Sequence, residues 1–328
     1  MLYISCHTPL EYNEVSLFNE IGIDVFCIGS YMNPAHPQDS FRPPMEISPK
    51  PELIKLACPK DALTKELVDN FDIIYVMHIP EWIVKNWNVI KDKIVIWRSI
   101  GQSISNNENE LKPFAKNIKI VRYSPFERNI PNYNGEDAII RFHLDSEEFK
   151  DWNGNVNKIA TVANSMKKRG VACSYTIFEA ATRGLPRVLY GPGNEGDLCG
   201  GMLSYDDLKK TLRNFRVYFY TGTHPASYTM NFMEAFMTGM PVVAIGNKYG
   251  NGHYFNQNTY EVPYIIQNGI NGFCSDDINT LHDYCKNLLK DENLAKQISI
   301  EGRKTAIEYF GKDKIKSQWE TFFRNIKT

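Results

Sequence analysis

The chain has 328 residues, enough for two domains that each bury a core, and its 43% hydrophobic and 23% charged residues are those of a folded protein, not a disordered tail. A net charge of −1 leaves no global field to draw it onto nucleic acid or anionic lipid. No apolar run reaches the length of a membrane span, residues 1–6 enter a strand-like start without a basic and apolar leader, and seven cysteines form no Cys-x-x-Cys pair; free thiols in a reducing cytoplasm are expected.

In chain order, residues 2–6 and 24–29 read as strands around a helix over 9–21, where Leu10, Val15, Leu17, Phe18 and Ile21 recur at helical spacing and Gly22 closes the turn. Residues 31–51 are rich in proline and polar side chains. A loop of that length after a strand's carboxyl end is expected to be an acceptor-side flap or a surface excursion. Helices are expected over 51–57 and 61–70. Residues 72–78 (DIIYVMH) form a buried strand that ends in His78, with Ile79-Pro80 opening the next helix. Residues 93–97 form another strand, followed by Arg98, Ser99 and Gln102; polar residues at a strand end read as a site, although Arg98 has an ion pair as its alternative. Strands over 118–123 and 137–145 follow. The polar stretch 151–157, with Gly154, marks the expected domain boundary.

The second half opens with a strand over 158–163 and the turn 164–170 (NSMKKRG), which leads into a helix over 172–182. Residues 187–190 are a strand ending in Gly191-Pro192-Gly193-Asn194, and 204–212 are helical. The most informative stretch is 217–246. Its aromatic strand runs into a polar turn with His224 and Pro225, then a helix over 228–238 stopped by Gly239 and Pro241, then an apolar strand over 241–246. This is one βαβ unit of a parallel sheet, with Glu234 inside an otherwise apolar helix. A carboxylate there is either paired with a lysine or accepts hydrogen bonds from a ligand, and it suits a vicinal diol because it accepts from both hydroxyls. Three helices are expected over 278–289, 292–309 and 312–326.

Glu234, Ala235, Gly239, Pro241, Val242 and Val243 resemble the donor motif of retaining glycosyltransferases of the GT-B fold, specifically glycosyltransferase family 4. That family pairs two glutamates; Ala226 stands at the first position, which leaves the sugar's identity open. Leu144, Asp145 and Phe149 resemble the family's inter-domain junction. The resemblance is specific from about residue 144 onward. It implies an α/β protein with two Rossmann-like domains facing across a cleft: 1–151 for the acceptor, 152–310 for the nucleotide sugar, and 311–328 as a helix returning to the first domain.

It also implies site residues. Asn164, Lys168 and Arg169 fall in register with the family's basic turn, which neutralises the departing diphosphate; a solvated basic turn is the alternative. Glu234 falls where the family binds the ribose. Ser227, Tyr228, Thr229 and Met230 are expected to present amides to phosphate or sugar, and Gly191 to let the backbone approach the nucleotide. His78, Arg98, Arg169 and Glu234 are the expected catalytic set. The chain has no Asp-x-Asp, so no metal is expected and fixed cations take its place. The expected activity is retaining, metal-independent transfer from a nucleotide-diphosphate sugar, with a UDP-sugar favoured, needing no further cofactor. The expected acceptor is a saccharide or glycoconjugate hydroxyl. The alternatives are a hydroxymethylated DNA base, as in phage DNA glucosyltransferases of the same fold, and a non-catalytic sugar-nucleotide or glycan binder.

Overall fold

The computed structural model describes residues 1–28, 50–252 and 257–326. The loop expected as a flap lies, but for its last two residues, outside them. The chain divides into two compact units, one of residues 1–143 with 313–328 and one of residues 144–312.

The first unit holds a six-stranded parallel sheet of β1 (Leu2–Ile4), β2 (Phe26–Cys27), β3 (Ile73–Met77), β4 (Ile94–Arg98), β5 (Lys119–Arg122) and β6 (Ala138–Ile139), in the order β2-β1-β3-β4-β5-β6. The strands are apolar without alternation because helices cover both faces. One face packs Leu2, Ile74, Val76, Val95 and Trp97 into a buried cluster with Ile83 and Ile90 of the helix Pro80–Ile90. On the other, Tyr3 stacks on Tyr75 at 4.6 Å, and Phe18 of the helix Thr8–Glu20 meets Trp319 of the helix Lys312–Ile326 at 5.0 Å. Trp319, Phe322 and Phe323 of that last helix are all buried, at about 1.5–3 kcal/mol each.

The second unit holds another parallel sheet, of β7 (Val156–Val162), β8 (Arg187–Tyr190), β9 (Cys199–Gly201), β10 (Phe215–Tyr220), β11 (Val242–Ile245) and β12 (Phe273–Ser275), ordered β12-β11-β10-β7-β8-β9. Its centre is the expected βαβ unit: β10, the helix Met230–Thr238, and β11. Gly239 ends that helix at φ 85°, a left-handed turn that glycine adopts freely, and the Met240 N–H closes the turn on the Ala235 carbonyl at 3.0 Å. The helix Glu292–Phe310 covers it.

The structure differs from expectation at three places. The helix expected over 172–182 is broken into a 3₁₀ turn, Gly170–Cys173, and a helix, Tyr175–Thr182, by Ser174 in the left-handed region at φ 48°. The strand expected over 137–145 pairs only at Ala138–Ile139, because the Ile140 carbonyl accepts from the Arg98 guanidinium at 2.6 Å. Residues 199–201, between the expected strand 187–190 and the expected helix 204–212, pair with β8 as an edge strand. The division between the units falls after His143: the Leu144 N–H donates to the Phe310 carbonyl at 2.9 Å, and Phe149 packs on Tyr205, so residues 144–149 belong with the second unit.

Candidate functional site

In the second sheet the chain runs outward from β7 to β8 and β9, then returns to build β10 on the opposite side of β7. The order therefore reverses between β7 and β10. Loops leaving the carboxyl ends of two such strands diverge and open a crevice, the place where doubly wound sheets bind ligands.

Asn164 and the basic turn leave β7 at this point. Ser165 is left-handed at φ 46°, which turns the chain into the short helix Met166–Arg169. Asn194, after β8, holds that turn: its Oδ1 accepts from the Met166 N–H at 2.8 Å, and its Nδ2 donates to the carbonyls of Ala163 (2.7 Å) and Gly191 (2.9 Å). The approach is close enough to require glycine. A Cβ on Gly191 would lie 2.6 Å from the Ala163 carbonyl oxygen, and one on Gly193 would lie 2.2 Å from Ser165 Oγ. Asn164, Lys167, Lys168 and Arg169 are exposed, and among the described residues the three cations form no ion pair.

The loop after β10 leads to the helix Met230–Thr238. Thr229 and Met230 are half-buried at its start. The Tyr220 hydroxyl lies 3.0 Å from Thr229 Oγ1, and Asn231 Nδ2 donates to the Val162 carbonyl, tying the helix start to the end of β7. Glu234 sits one turn further in, 3% exposed, near enough to the Tyr218 phenol to add to the upward push that burial gives that group. The side chains of Ser227 and Tyr228 are buried: Tyr228 packs on Phe310 at 5.1 Å, and the Ser227 carbonyl accepts from the Glu261 N–H at 3.0 Å. His224 is buried as well, with Nε2 3.0 Å from Ser174 Oγ and its N–H on the Ala172 carbonyl at 2.9 Å; burial pushes its imidazole pKa down. This clasp joins the end of the basic turn to the loop after β10.

The structure thus brings Asn164, Lys168, Arg169, Gly191, Thr229, Met230 and Glu234 to one sheet edge. It adds two residues that sequence reasoning passed over. Asn194 was visible only as part of a glycine turn; Asn231 was signalled by a polar side chain in the first turn of an apolar helix.

In the first unit the order reverses between β1 and β3. His78 stands at this carboxyl edge, left-handed at φ 65° and 9% exposed, and burial, with His7 nearby, pushes its pKa down to about 4. Its N–H donates to the Arg98 carbonyl at 2.8 Å, and its Nδ1 has no hydrogen-bond partner among the described residues. Arg98, one of the expected catalytic residues, ends β4 on the same sheet. It is fully buried, with Nε on Glu14 Oε1 at 2.9 Å and Nη1 on the carbonyls of Arg122 and Ile140. Glu14 Oε2 also accepts from the Tyr3 and Tyr75 hydroxyls at 2.8 and 2.7 Å. The ion-pair reading of Arg98 is the one the structure shows. Among the described residues no group of three His, Cys, Asp or Glu is arranged to hold a metal ion, and no helix is long and apolar enough to cross a membrane.

No family model matches the chain. Over 102 residues it is 29% identical to N-acetyl-alpha-D-glucosaminyl L-malate synthase of Bacillus anthracis; the match covers 30% of this chain and 24% of that protein, so it spans about a quarter of the curated relative. Solved structures match over its whole length. A glycosyltransferase from Rickettsia africae superposes with a TM-score of 0.67 at 13% identity, covering 100% of this chain and 98% of the other. HepE from Anabaena, in complex with UDP and glucose, gives 0.66 at 12% identity and 98% of both chains. An alpha-glucosyltransferase in complex with UDP-glucose and DNA containing an abasic site gives 0.62 at 12% identity, covering 100% of this chain and 98% of the other. At these identities the likeness is one of fold: the chain has the GT-B fold of glycosyltransferases.

Proposed function

We propose that the protein is a retaining glycosyltransferase, acting in the cytoplasm, that moves a sugar from a nucleotide-diphosphate sugar, UDP-linked by preference, to a hydroxyl of a saccharide or glycoconjugate. One observation carries this reading: three exposed cations, a helix start and a buried carboxylate meet at the β7/β10 reversal of the second unit. A nucleoside diphosphate needs those three features. Lys168 and Arg169, with Asn164 beside them, neutralise the diphosphate. The amides at the start of the helix, from Thr229 and Met230, add partial positive charge. Glu234 accepts from the ribose hydroxyls. Gly191 keeps the backbone close to the nucleotide.

In the transfer, the bond from the sugar's anomeric carbon to the diphosphate oxygen breaks, and its electron pair leaves with the phosphate. The acceptor oxygen bonds to the same face of that carbon, and its proton passes to the departing diphosphate. Charge accumulates on the leaving group, so cations held there stabilise the transition state more than the ground state. Lys168 and Arg169 fill the role a divalent metal has elsewhere, so no metal is required. The second unit, residues 144–312, binds the donor in place of the expected 152–310, and the first unit, 1–143 with 313–328, takes the acceptor, with His78 on its sheet edge.

Curated and structural relatives that act on or bind UDP-glucose, glucose or an N-acetylglucosaminyl group support a hexose donor. A DNA acceptor is the second reading, favoured by the likeness to the enzyme bound to DNA, while the net charge of −1 weighs against it. The test is turnover with a panel of UDP-sugars, each against oligosaccharides, a glycolipid headgroup and hydroxymethylated DNA, with the anomeric configuration of the product read by NMR. Retention at a saccharide hydroxyl is expected. Absence of both transfer and slow UDP-sugar hydrolysis would favour a non-catalytic binder.

A further inference from the structure

The first sheet has a reversal of its own, between β1 and β3. Two helices start from these strand ends, Thr8–Glu20 after β1 and Pro80–Ile90 after β3, and among the described residues neither has a side chain capping its first turn. Each therefore turns the positive end of its dipole toward the same edge. A cation joins them: Lys60 Nζ donates to the Ser5 carbonyl at 2.7 Å, at the end of β1, and spends one of its three donors there. His78, nine-tenths buried, ends β3 with its Nδ1 unpartnered among the described residues. The two carboxylates of these helix starts are engaged: Glu11 accepts from Cys27 Sγ at 2.8 Å, and Glu81 pairs with Lys85 at 2.7 Å.

We infer that this edge is a binding site for a small dianion, a phosphate monoester or a pair of carboxylates, held by Lys60, the Thr8 amide and His78. On the glycosyl-transfer reading, the dianion is the charged part of the acceptor, so the hydroxyl that receives the sugar belongs to an anionic molecule and not to a neutral glycan. The physical case is one of positive potential gathered at one edge: two helix starts and a lysine, with the first-turn carboxylates Glu11 and Glu81 held by Cys27 and Lys85. A neutral imidazole nitrogen supplies the hydrogen bond that fixes the ligand's orientation.

The test uses the whole chain in two stages. UDP is titrated first, which examines the donor reading by itself and fills the basic turn of the second unit. Inorganic phosphate and succinate are then titrated separately, by calorimetry, into the UDP-saturated protein; the two arms tell a phosphate acceptor from a dicarboxylate one. Saturable binding of one of them is expected. Lys60→Gln should weaken it about tenfold, the loss of one charge-assisted hydrogen bond. Thr8→Glu should weaken it at least as much while leaving the urea midpoint unchanged or higher, because an acidic residue favours a helix start but repels an anion. Exposed Lys116→Gln should change nothing. Failure of UDP to bind would remove the donor reading and leave this site to be decided by the same variants without nucleotide. Absence of saturable dianion binding in the wild-type chain, or equal binding in wild type and Thr8→Glu, overturns the inference; if Lys60→Gln does not fold, Thr8→Glu decides alone.

Discussion

Asn194 Oδ1 accepts the N–H of Met166 at 2.8 Å, so a side chain from the turn after β8 holds the backbone of the turn after β7. The exposed cations Lys167–Arg169 follow immediately, and their placement depends on that bond. Asn194→Ala leaves the Met166 amide and two carbonyls without their partner, a loss of about 1–3 kcal/mol. UDP affinity is expected to fall about tenfold, with the unfolding transition still cooperative. Calorimetry on the variant checks this, and unchanged affinity would show that the turn holds its shape alone.

Arg98 and Glu14 form a fully buried ion pair in the first unit. Arg98→Met leaves Glu14 charged and short of a partner, and breaking such a pair costs about 3–5 kcal/mol. The urea midpoint should drop accordingly, while UDP binding, proposed for the second unit, should not change. A variant of normal stability that has lost activity would restore Arg98 to the catalytic set.

The contrast between Arg98 and Glu234 marks what could be read from the sequence. Glu234 lies in a local pattern of strand, turn, helix and strand that runs within residues 217–246, although the helix Glu292–Phe310 packs over it. The buried strands, the helix stops at Gly22 and Gly239, and the last helix over 312–326 were legible for the same reason: they are short-range patterns. The ion pair of Arg98 could not be read as its environment because its partner, Glu14, stands 84 residues away on a helix. Nothing in the spacing of a strand end tells an arginine facing a ligand from one facing a buried carboxylate. Asn194 and the edge strand β9 were missed likewise, since their roles arise only when β8 lies beside β7.

The pH dependence of stability carries a signature of His78. Its folded pKa of about 4 lies below the ordinary 6.5. Above pH 6.5 both folded and unfolded states hold it neutral, and its full contribution is present. As pH falls from 6.5 toward 4, the unfolded chain takes up a proton that the folded chain refuses, and stability falls by about 3 kcal/mol. His78→Asn, a residue that tolerates φ 65°, should flatten the curve by that amount in this window. Urea unfolding of both proteins at intervals from pH 7.5 to 4.5 measures it. Parallel curves would place the imidazole in contact with water.

Turnover should survive chelation. If Lys168 and Arg169 neutralise the diphosphate as proposed, initial rates in EDTA should match those without it. Loss of activity in EDTA that manganese or magnesium restores would show that a metal carries the charge.

The central claim is that the second unit binds a nucleoside diphosphate through the basic turn and Glu234. Calorimetric titration of UDP into the wild-type chain and into Glu234→Gln and Arg169→Met addresses it directly. The account predicts one UDP per chain, with affinity lowered about tenfold or more in each variant, as the loss of a hydrogen bond to a charged group entails, and with unfolding midpoints near wild type. UDP affinity unchanged in both variants, or no UDP binding by the wild-type protein, would contradict it.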